Sequence, residues 1–402
     1  MGDAMTLALY GRASEARGLL PSSQTEVRRL RAPHARDPVL TSDVALARSS
    51  NDLEAARESG FNAVLVINDS PIEAPGANVL PQLIRLPSQF SYLADGDVVA
   101  IHPTTLRFRT LYRRNSKHNS LLVTERCNHY CLMCSQPPKD VDDRWILSEI
   151  KRCIPLIDKQ TGSLGFTGGE PLLDWVDLIE ILTLCRDHLP QTAIHVLSNG
   201  RAFCNSEVTE AWAAVRHHDL MVGIPIYSAV DHIHDYVVQA EGAFHETLLG
   251  ILRLKDKGQR VEVRVVLHAV TAPRVREICL WLARNLPFVD HVALMGLENT
   301  GFAIANDKLL WIDPADYASD LASGVDVLVA AGVRVSVYNL PRCILPRSIW
   351  PFAVQSISDW KNGFVEECGS CIERDNCSGF FTSGRPRYSR GIKPILPDLQ
   401  PR

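Results

Sequence analysis

From residue 120 to about residue 300, short apolar runs of strand character alternate with longer stretches of helical period. SLLVTE precedes ILSEIKRCIPLI, SLGFTGG precedes LLDWVDLIEILTLCRDHL, and TAIHVLSNG precedes EVTEAWAAVRHH. LMVGIPIYS then precedes AFHETLLGILRLKDKG, RVEVRVVLHAV precedes RVREICLWLARNL, and FVDHVALMG ends the series. Six strands joined by five helices predict an α/β fold on a parallel sheet, because each helix carries the chain back to the edge where it started. Six units are too few to close an eight-fold barrel and suit a curved, partly open one. Ligands of such sheets lie beyond the carboxyl ends of the strands, so the informative residues are expected just after each strand.

The flanks read differently. Residues 1–45 are Arg-rich and weakly periodic. Asn51 is positioned as a helix cap, with Glu54 at the capping-box position and Gly60 past the helix end. FNAVLVIND (61–69) reads as a strand stopped by Asp69-Ser70-Pro71, and ADGDVVAIH with LRFRTLYR as a strand pair. This predicts a small α+β accessory domain over 1–115, the β/α core over 116–300 and a C-terminal extension over 301–402. The extension begins with a helical stretch, DPADYASDLASGVDVLVAAG, and a strand, VRVSVYNL. A cysteine-containing loop region follows, then a Gly/Arg/Pro-rich tail (383–402) expected to be extended or disordered.

A chain of 402 residues has room for two or three domains. A net charge of −4 gives no global reason to expect nucleic acid or a membrane surface as partner. No apolar run reaches the roughly 18–20 residues of a membrane span, and the N-terminus lacks the basic-then-apolar order of an export signal. The expectation is a cytoplasmic protein. There, eleven cysteines speak for metal binding or thiol chemistry rather than a disulfide framework. Cys153, Cys185, Cys204 and Cys279 stand in apolar or helical contexts and read as buried small hydrophobes; the other seven form two groups.

The first group is CNHYCLMC, with Cys127, Cys131 and Cys134 directly after the first strand of the β/α series. Clustered thiolates are soft ligands that select iron–sulfur clusters, zinc or copper. Structural zinc asks for four ligands, and only His129, inside the loop, offers a local fourth. A [4Fe–4S] cube on three cysteines leaves one iron open to a small molecule. Zinc and plain buried thiols remain the competing readings. After the second strand comes Gly168-Gly169-Glu170-Pro171, where glycines permit close approach to a ligand and Glu170 can accept from an ammonium. Arg264 and His268 lie four residues apart on the fifth strand and so share one face.

CxxxCxxC after the first strand of a six-unit β/α series resembles the radical S-adenosylmethionine (SAM) superfamily. The resemblance implies a partial (β/α)6 barrel and a [4Fe–4S] cluster whose open iron is chelated by SAM. It also implies reductive cleavage of SAM to a 5′-deoxyadenosyl radical that abstracts hydrogen from substrate. GGEP (168–171) is similar to the family's SAM amino-group motif. Ser198 and Asn199 of LSNG resemble pocket-lining positions, and Ser228 of IYS stands where the family places a ribose or carboxylate contact. Arg264 becomes a candidate partner of the SAM carboxylate and His268 a companion on its face, while Met295-Gly296-Leu297 is placed to flank adenine. Met133 departs from the family, which often has an aromatic residue before the third cysteine.

The second group, Cys343, Cys368, Cys371 and Cys377, is a full four-thiolate set that zinc also suits. It resembles the auxiliary [4Fe–4S] extensions of radical SAM peptide maturases. NSLLVTERCNHYCLMCSQPPKDVDD, with DGDVVAI before it and HVLSNGRAF after it, is similar to the HxsC family of His-Xaa-Ser system radical SAM maturases. That similarity implies a His-Xaa-Ser repeat peptide as substrate, a second radical SAM maturase alongside, and an electron donor such as a flavodoxin or ferredoxin. On it, residues 1–115 are candidates for peptide recognition, for instance by strand addition at an exposed edge, or equally for a bare scaffold, and Lys139 for a substrate carboxylate contact. Radical SAM chemistry on a small molecule, and a non-catalytic metal-binding scaffold, are the alternatives.

Overall fold

The computed structural model describes residues 7–22, 24–35, 37–67, 81–355, 362–381 and 387–397. The stop signal Asp69-Ser70-Pro71 lies outside them.

The N-terminal region is built on one mixed sheet. Its strands are β1 (Tyr10–Arg12), β2 (Glu15–Arg17), β3 (Glu26–Arg31), β4 (Asp43–Ala47), β5 (Ala63–Ile67), β6 (Gln82–Leu86), β7 (Val98–Ile101) and β8 (Arg107–Tyr112), in the order β1-β8-β7-β3-β4-β5-β6-β2. The expected pair β7–β8 is antiparallel. The two outermost strands, β1 and β2, are consecutive and separated only by Ala13 and Ser14. Ala13 N bonds to Leu106 O and Ser14 N to Arg85 O, so this kinked segment joins both rims and curls the sheet round on itself. That corrects the expectation of an exposed edge for strand addition: the rims are spent on one another. Leu30, Leu65, Leu86, Phe90, Ile101 and Phe108 fill the enclosed core.

Helix α1 (Ser50–Glu58) begins earlier than expected. Its cap is Ser49, whose side chain accepts from Asp52 N, and Asp52 returns the capping-box bond. A Ser two residues before Asn51 offers the same bond with the acid already at the third position, which is why the helix starts there.

The core sheet contains all six expected strands: β9 (Asn119–Leu122), β10 (Ser163–Thr167), β11 (Ala193–Leu197), β12 (Leu220–Pro225), β13 (Arg260–Leu267) and β14 (His291–Gly296). A seventh, β15 (Val335–Tyr338), pairs in parallel with β14. The sequence reading assigns that segment to the C-terminal extension; the sheet instead continues in simple sequential order from β9 to β15. Between the strands lie α2 (Trp145–Cys153), α3 (Trp175–His188), α4 (Ser206–Ala214), α5 (Asp231–Val238), α6 (Ala243–Asp256) and α7 (Val275–Asn285). After β14 come α8 (Phe302–Ala305), α9 (Asp307–Leu310) and α10 (Pro314–Ala330). One face of each strand, with Phe166, Val196, Ile224, Val263, Leu294 and Val337, is buried against helix residues such as Leu182, Trp212, Ile251, Leu282 and Leu328. Burying each such side chain contributes about 1.5–3 kcal/mol, enough for packing rather than local propensity to set the layers.

The N-terminal sheet docks on α2. Val27, Val98, Ala100 and Tyr112 join the core cluster with Ile146 and Ile150. Arg109 pairs with the buried Glu149, and Tyr112 Oη meets Thr161 Oγ1 at 2.8 Å. Of the tail 383–402, the described residues 387–397 carry no helix or strand, in keeping with an extended segment, and they are docked. Arg387 pairs with Asp307, and Arg390 with Asp313 and Asp316 at the amino end of α10, where acidic side chains already favour the helix dipole. Among the described residues no helix is long and apolar enough to cross a membrane.

Candidate active site

The cysteine loop leaves the end of β9 through Val123, whose N–H bonds to Thr167 O at 2.7 Å. Asp143 closes the loop at its far end, accepting from Thr124 Oγ1 (2.9 Å), Glu125 N (2.5 Å) and Arg126 Nε (3.0 Å). Lys139 N bonds to Glu125 O, and its ammonium is paired with Glu125 at 2.5 Å. Cys127, Cys131 and Cys134 are half-buried within this frame. Cys127 Sγ accepts from His129 N at 3.4 Å, and Cys134 N bonds to Cys131 O at 3.0 Å.

Burial pushes the Cys127 thiol up to about 11, with the charges of Glu170 and Cys134 adding to it. Cys131 is pushed up by burial and then by the Cys134 and Cys127 thiolates, and Cys134 by burial. Three thiolates this close repel one another, and a bound cationic iron–sulfur core relieves the repulsion and favours the ionised form. The donor set therefore fits a cluster. His129 is buried with both ring nitrogens unpartnered, and burial, then the charges of Arg201 and His234, push it down to about 3.

The GGEP turn is laced directly to this loop. Gly169 N bonds to Thr124 O and Glu170 N to Arg126 O, both at 2.8 Å. A Cβ on Gly168 would overlap the Thr124 carbonyl oxygen, at a φ of 158°, and one on Gly169 would overlap that of Arg126. What the glycines admit here is the chain's own cysteine loop. Glu170 is fully buried; its Oε1 accepts from Leu172 N (2.9 Å) and Ser198 Oγ (2.8 Å), and its Oε2 from Asn199 N (2.6 Å). Of the roughly four lone-pair sites of a carboxylate, one on Oε2 is left. Pro171 opens the short helical turn that follows. Burial raises the Glu170 pKa, and the N–H and O–H donors oppose that rise.

Ser198 and Asn199 thus come to the same place as Glu170, at the end of β11. Asn199 Nδ2 donates to Asn128 Oδ1 at 2.6 Å, and Thr247 Oγ1 donates to Asn199 O at 3.0 Å. Ser228, at the end of β12, is buried and accepts from Val230 N at 3.0 Å. Arg264 lies on the sheet face opposite the helices, Nη1 bonded to Glu262 Oε1 (2.7 Å) and Nη2 to Met295 Sδ (3.0 Å). Glu262 also takes His291 Nδ1 at 2.7 Å; burial would raise it, but that bond and the Arg264 charge bring it down to about 2. His268 lies beyond the end of β13, fully buried, its Nδ1 accepting from Val270 N at 3.3 Å and its Nε2 unpartnered.

Sequence reasoning missed four residues. Asn128 is the loop's bond to β11. Gly301 (φ 56°) and Asn306 clasp the loop from α8 and α9: Phe302 N bonds to Cys134 O and Asn306 Nδ2 to Leu132 O. Tyr227, beside Ser228 in the same IYS motif, packs with Met133, Val237 and Leu310 in one apolar cluster that also takes in Cys131 and Leu297. The neighbouring motif was the available signal for Tyr227. No short-range pattern marks the other three.

Cys343, Cys368, Cys371 and Cys377 line one pocket with Pro341, Phe364 and Phe380. Backbone donors already point at the sulfurs: Ile395 N to Cys371 Sγ (3.4 Å), Arg342 N to Cys377 Sγ (3.4 Å) and Gly379 N to Cys377 Sγ (3.5 Å). Burial raises Cys343 and Cys368, and the neighbouring thiolates raise them further. Four soft donors with N–H···S bonds suit the larger span of an iron–sulfur cluster. Among the described residues no three or more His, Cys, Asp or Glu side chains converge as a single metal ion requires. Of the scattered thiols, Cys153, Cys185 and Cys279 are buried as expected, whereas Cys204 is half-buried at the end of a short turn.

Residues 121–282 match the family model of the Radical SAM superfamily. An uncharacterized protein of Methanocaldococcus jannaschii is 25% identical over 197 residues, covering 48% of this chain and 64% of its own length. Streptococcus suis SuiB bound to S-adenosylmethionine superposes with a TM-score of 0.45 at 13% identity, over 54% of this chain and 49% of SuiB. A radical SAM methyltransferase from Sphaerobacter thermophilus gives 0.42 at 14% identity, over 62% and 74%. The match thus spans less than two thirds of the curated relative and about half of SuiB. The β/α core carries a radical SAM domain.

Proposed function

We propose that this radical SAM domain makes the protein a radical SAM enzyme, a maturase of a ribosomally made peptide of the His-Xaa-Ser repeat type. The observation that carries the radical SAM reading is the lacing of the three-thiol loop to GGEP and LSN, which holds Cys127, Cys131 and Cys134 at the carboxyl end of the sheet. A [4Fe–4S] cluster on those thiols, with SAM bound, supplies reductive cleavage of the sulfonium and hydrogen abstraction from substrate. The residues around it do the positioning. Glu170 keeps one acceptor site, Arg264 offers a cation anchored by Glu262, and the burial of Met133 and Tyr227 excludes water.

The peptide part of the reading rests on the long strings around CNHYCLMC and on the second thiol group. A small cleft of about 90 Å3 beyond the ends of β14 and β15 is walled by Leu297, Asn299, Trp311, Phe380 and Tyr388. It shares Pro341, Gly379 and Phe380 with the four-thiol pocket, and is the proposed seat of the peptide. An auxiliary [4Fe–4S] cluster is the proposed occupant of the four thiols.

Anaerobic reconstitution with iron and sulfide, then dithionite, SAM and a His-Xaa-Ser repeat peptide, tests the proposal. 5′-Deoxyadenosine and a mass change in the peptide are expected, both lost in Cys131→Ala. A cluster-loaded protein that cleaves no SAM would sink the enzyme reading. Cleavage with no change in the peptide would sink the substrate reading alone.

A further inference from the structure

Residues 387–395 form an irregular strap that touches both pockets beyond the sheet. At one end Arg387, Tyr388 and Ser389 line the cleft. The Arg387 guanidinium lies 4.5 Å from the centre of the Trp311 ring, and the Tyr388 ring meets Phe380 at 4.8 Å. At the other end Lys393 and Ile395 line the four-thiol pocket. Ile395 is fixed twice there, its N–H donating to Cys371 Sγ at 3.4 Å and its carbonyl accepting from Ile372 N at 2.9 Å. Between the ends, Ser389 Oγ and Arg390 N donate to Asp313, and the Arg390 side chain pairs with Asp316.

Little else holds this segment. Ser389 is the one buried residue of 387–395, and Arg387, Tyr388 and Arg390 are exposed. Exposed ion pairs contribute little to fixing a chain, and a segment with few buried apolar contacts opens easily. The bond from Ile395 N to Cys371 Sγ is the one whose strength depends on what the thiols carry. A neutral thiol is a weak acceptor. A sulfur ligated to iron carries negative charge, and hydrogen bonds to a charged acceptor are roughly twice as strong. We propose that residues 387–395 are a strap latched by an iron–sulfur cluster on the four thiols, so that loading this cluster closes the outer wall of the peptide cleft. This rests on the readings of the four thiols and of the cleft given above. Occupancy of one pocket thereby sets the shape of the other, with the Ile395 N–H as the link. By linkage, a strap held by the cluster holds the cluster in turn.

Limited tryptic digestion of the full-length protein without oxygen, read by mass spectrometry, follows cleavage after Arg387 and Arg390. Passing from a neutral to a charged acceptor changes the open population that the protease samples by roughly tenfold. Reconstituted protein should therefore be cut about tenfold more slowly in the strap than metal-free protein. Cys343→Ala combined with Cys368→Ala keeps Cys371 and the first thiol group but cannot hold the second cluster, and its strap should be cut as fast as in metal-free protein. Equal strap cleavage in loaded and metal-free wild type overturns the latch. So does an equal slowing at the exposed Lys117, far from the strap in sequence, because that would be general stabilisation. A second measurement does not depend on the cysteine variants. Ile395→Pro removes the N–H at full chain length and Ile395→Ala keeps it, so the first should lose its second cluster to a chelator faster than the second. Equal rates of loss would again overturn the proposal. Wild-type protein that takes up iron for one cluster only would instead remove the reading of the four thiols.

Discussion

Asn199 Nδ2 donates to Asn128 Oδ1 across 2.6 Å, joining the end of β11 to the middle of the three-cysteine loop. With the same residue's N–H on Glu170, this makes Asn199 the point where two strand ends and the loop are held together. Asn199→Ala removes the side-chain bond to the exposed Asn128, at a cost of about 0.5–1.5 kcal/mol. The expected result is a thermal midpoint lower by a few degrees and less iron retained on dilution. A variant with wild-type iron content and midpoint would contradict the relationship.

Glycine substitutions separate close approach from mere flexibility. Ala at Gly169 meets the Arg126 carbonyl, and Ala at Gly301 meets Ser135 O at 2.7 Å with an unfavourable φ of 56°. Each should destabilise by about 1–3 kcal/mol and reduce iron loading. Gly162, with nothing within 4 Å of its Cβ position, should tolerate Ala. Denaturant titration of the three variants checks the order; equal stabilities would refute it.

Glu149 is buried and depends on Arg109 from the N-terminal sheet. Arg109→Ala leaves that carboxylate uncompensated, a loss of about 3–5 kcal/mol for a buried pair. Arg109→Met combined with Glu149→Leu should recover much of it. A double variant no more stable than Arg109→Ala would show that the pair does not hold the sheet to α2.

Acid should weaken the fold in two windows. His234 and His268, pushed down to about 4 by burial, stay neutral in the folded state while an unfolded histidine takes a proton near 6.5. The unfolded chain then binds more protons, so stability falls as pH drops from about 6.5 to 4. Glu262, held at about 2, stabilises above the ordinary glutamate value near 4.5 and loses that contribution as pH falls towards 2. Denaturant titrations across pH should show His268→Asn flattening the first slope and Glu262→Gln the second. Unchanged slopes would count against these assignments.

Metal analysis distinguishes the two thiol groups. Two [4Fe–4S] sites predict about 8 iron per chain and one such site with zinc about 4. Cys371→Ala should remove the second metal and leave the first cluster's spectrum intact. Loss of all iron in that variant would show that the groups are not independent.

Local pattern carried the β/α core far because periodicity is a short-range property. Apolar runs and helical stripes announced β9 to β14 and five of the six helices between them, α5 being the one not expected, and thiol spacing marked both cysteine groups. Glu170, Ser198 and Asn199 were legible because residues just past parallel strands must meet at one end of the sheet. What the residues determined alone was therefore the order of elements and the chemistry of their ends. Tertiary structure decided the rest: the Asn128–Asn199 bond spans 71 positions, the Gly301–Asn306 clasp reaches back across the chain to the loop, and β1 with β2 joins the two rims of one sheet. β15 read as an isolated strand until β14 provided its edge, and the Arg-rich tail read as loose until the acids at the start of α10 provided its partners. Each depends on which surfaces meet once the core is packed, and no window of neighbouring residues contains that information.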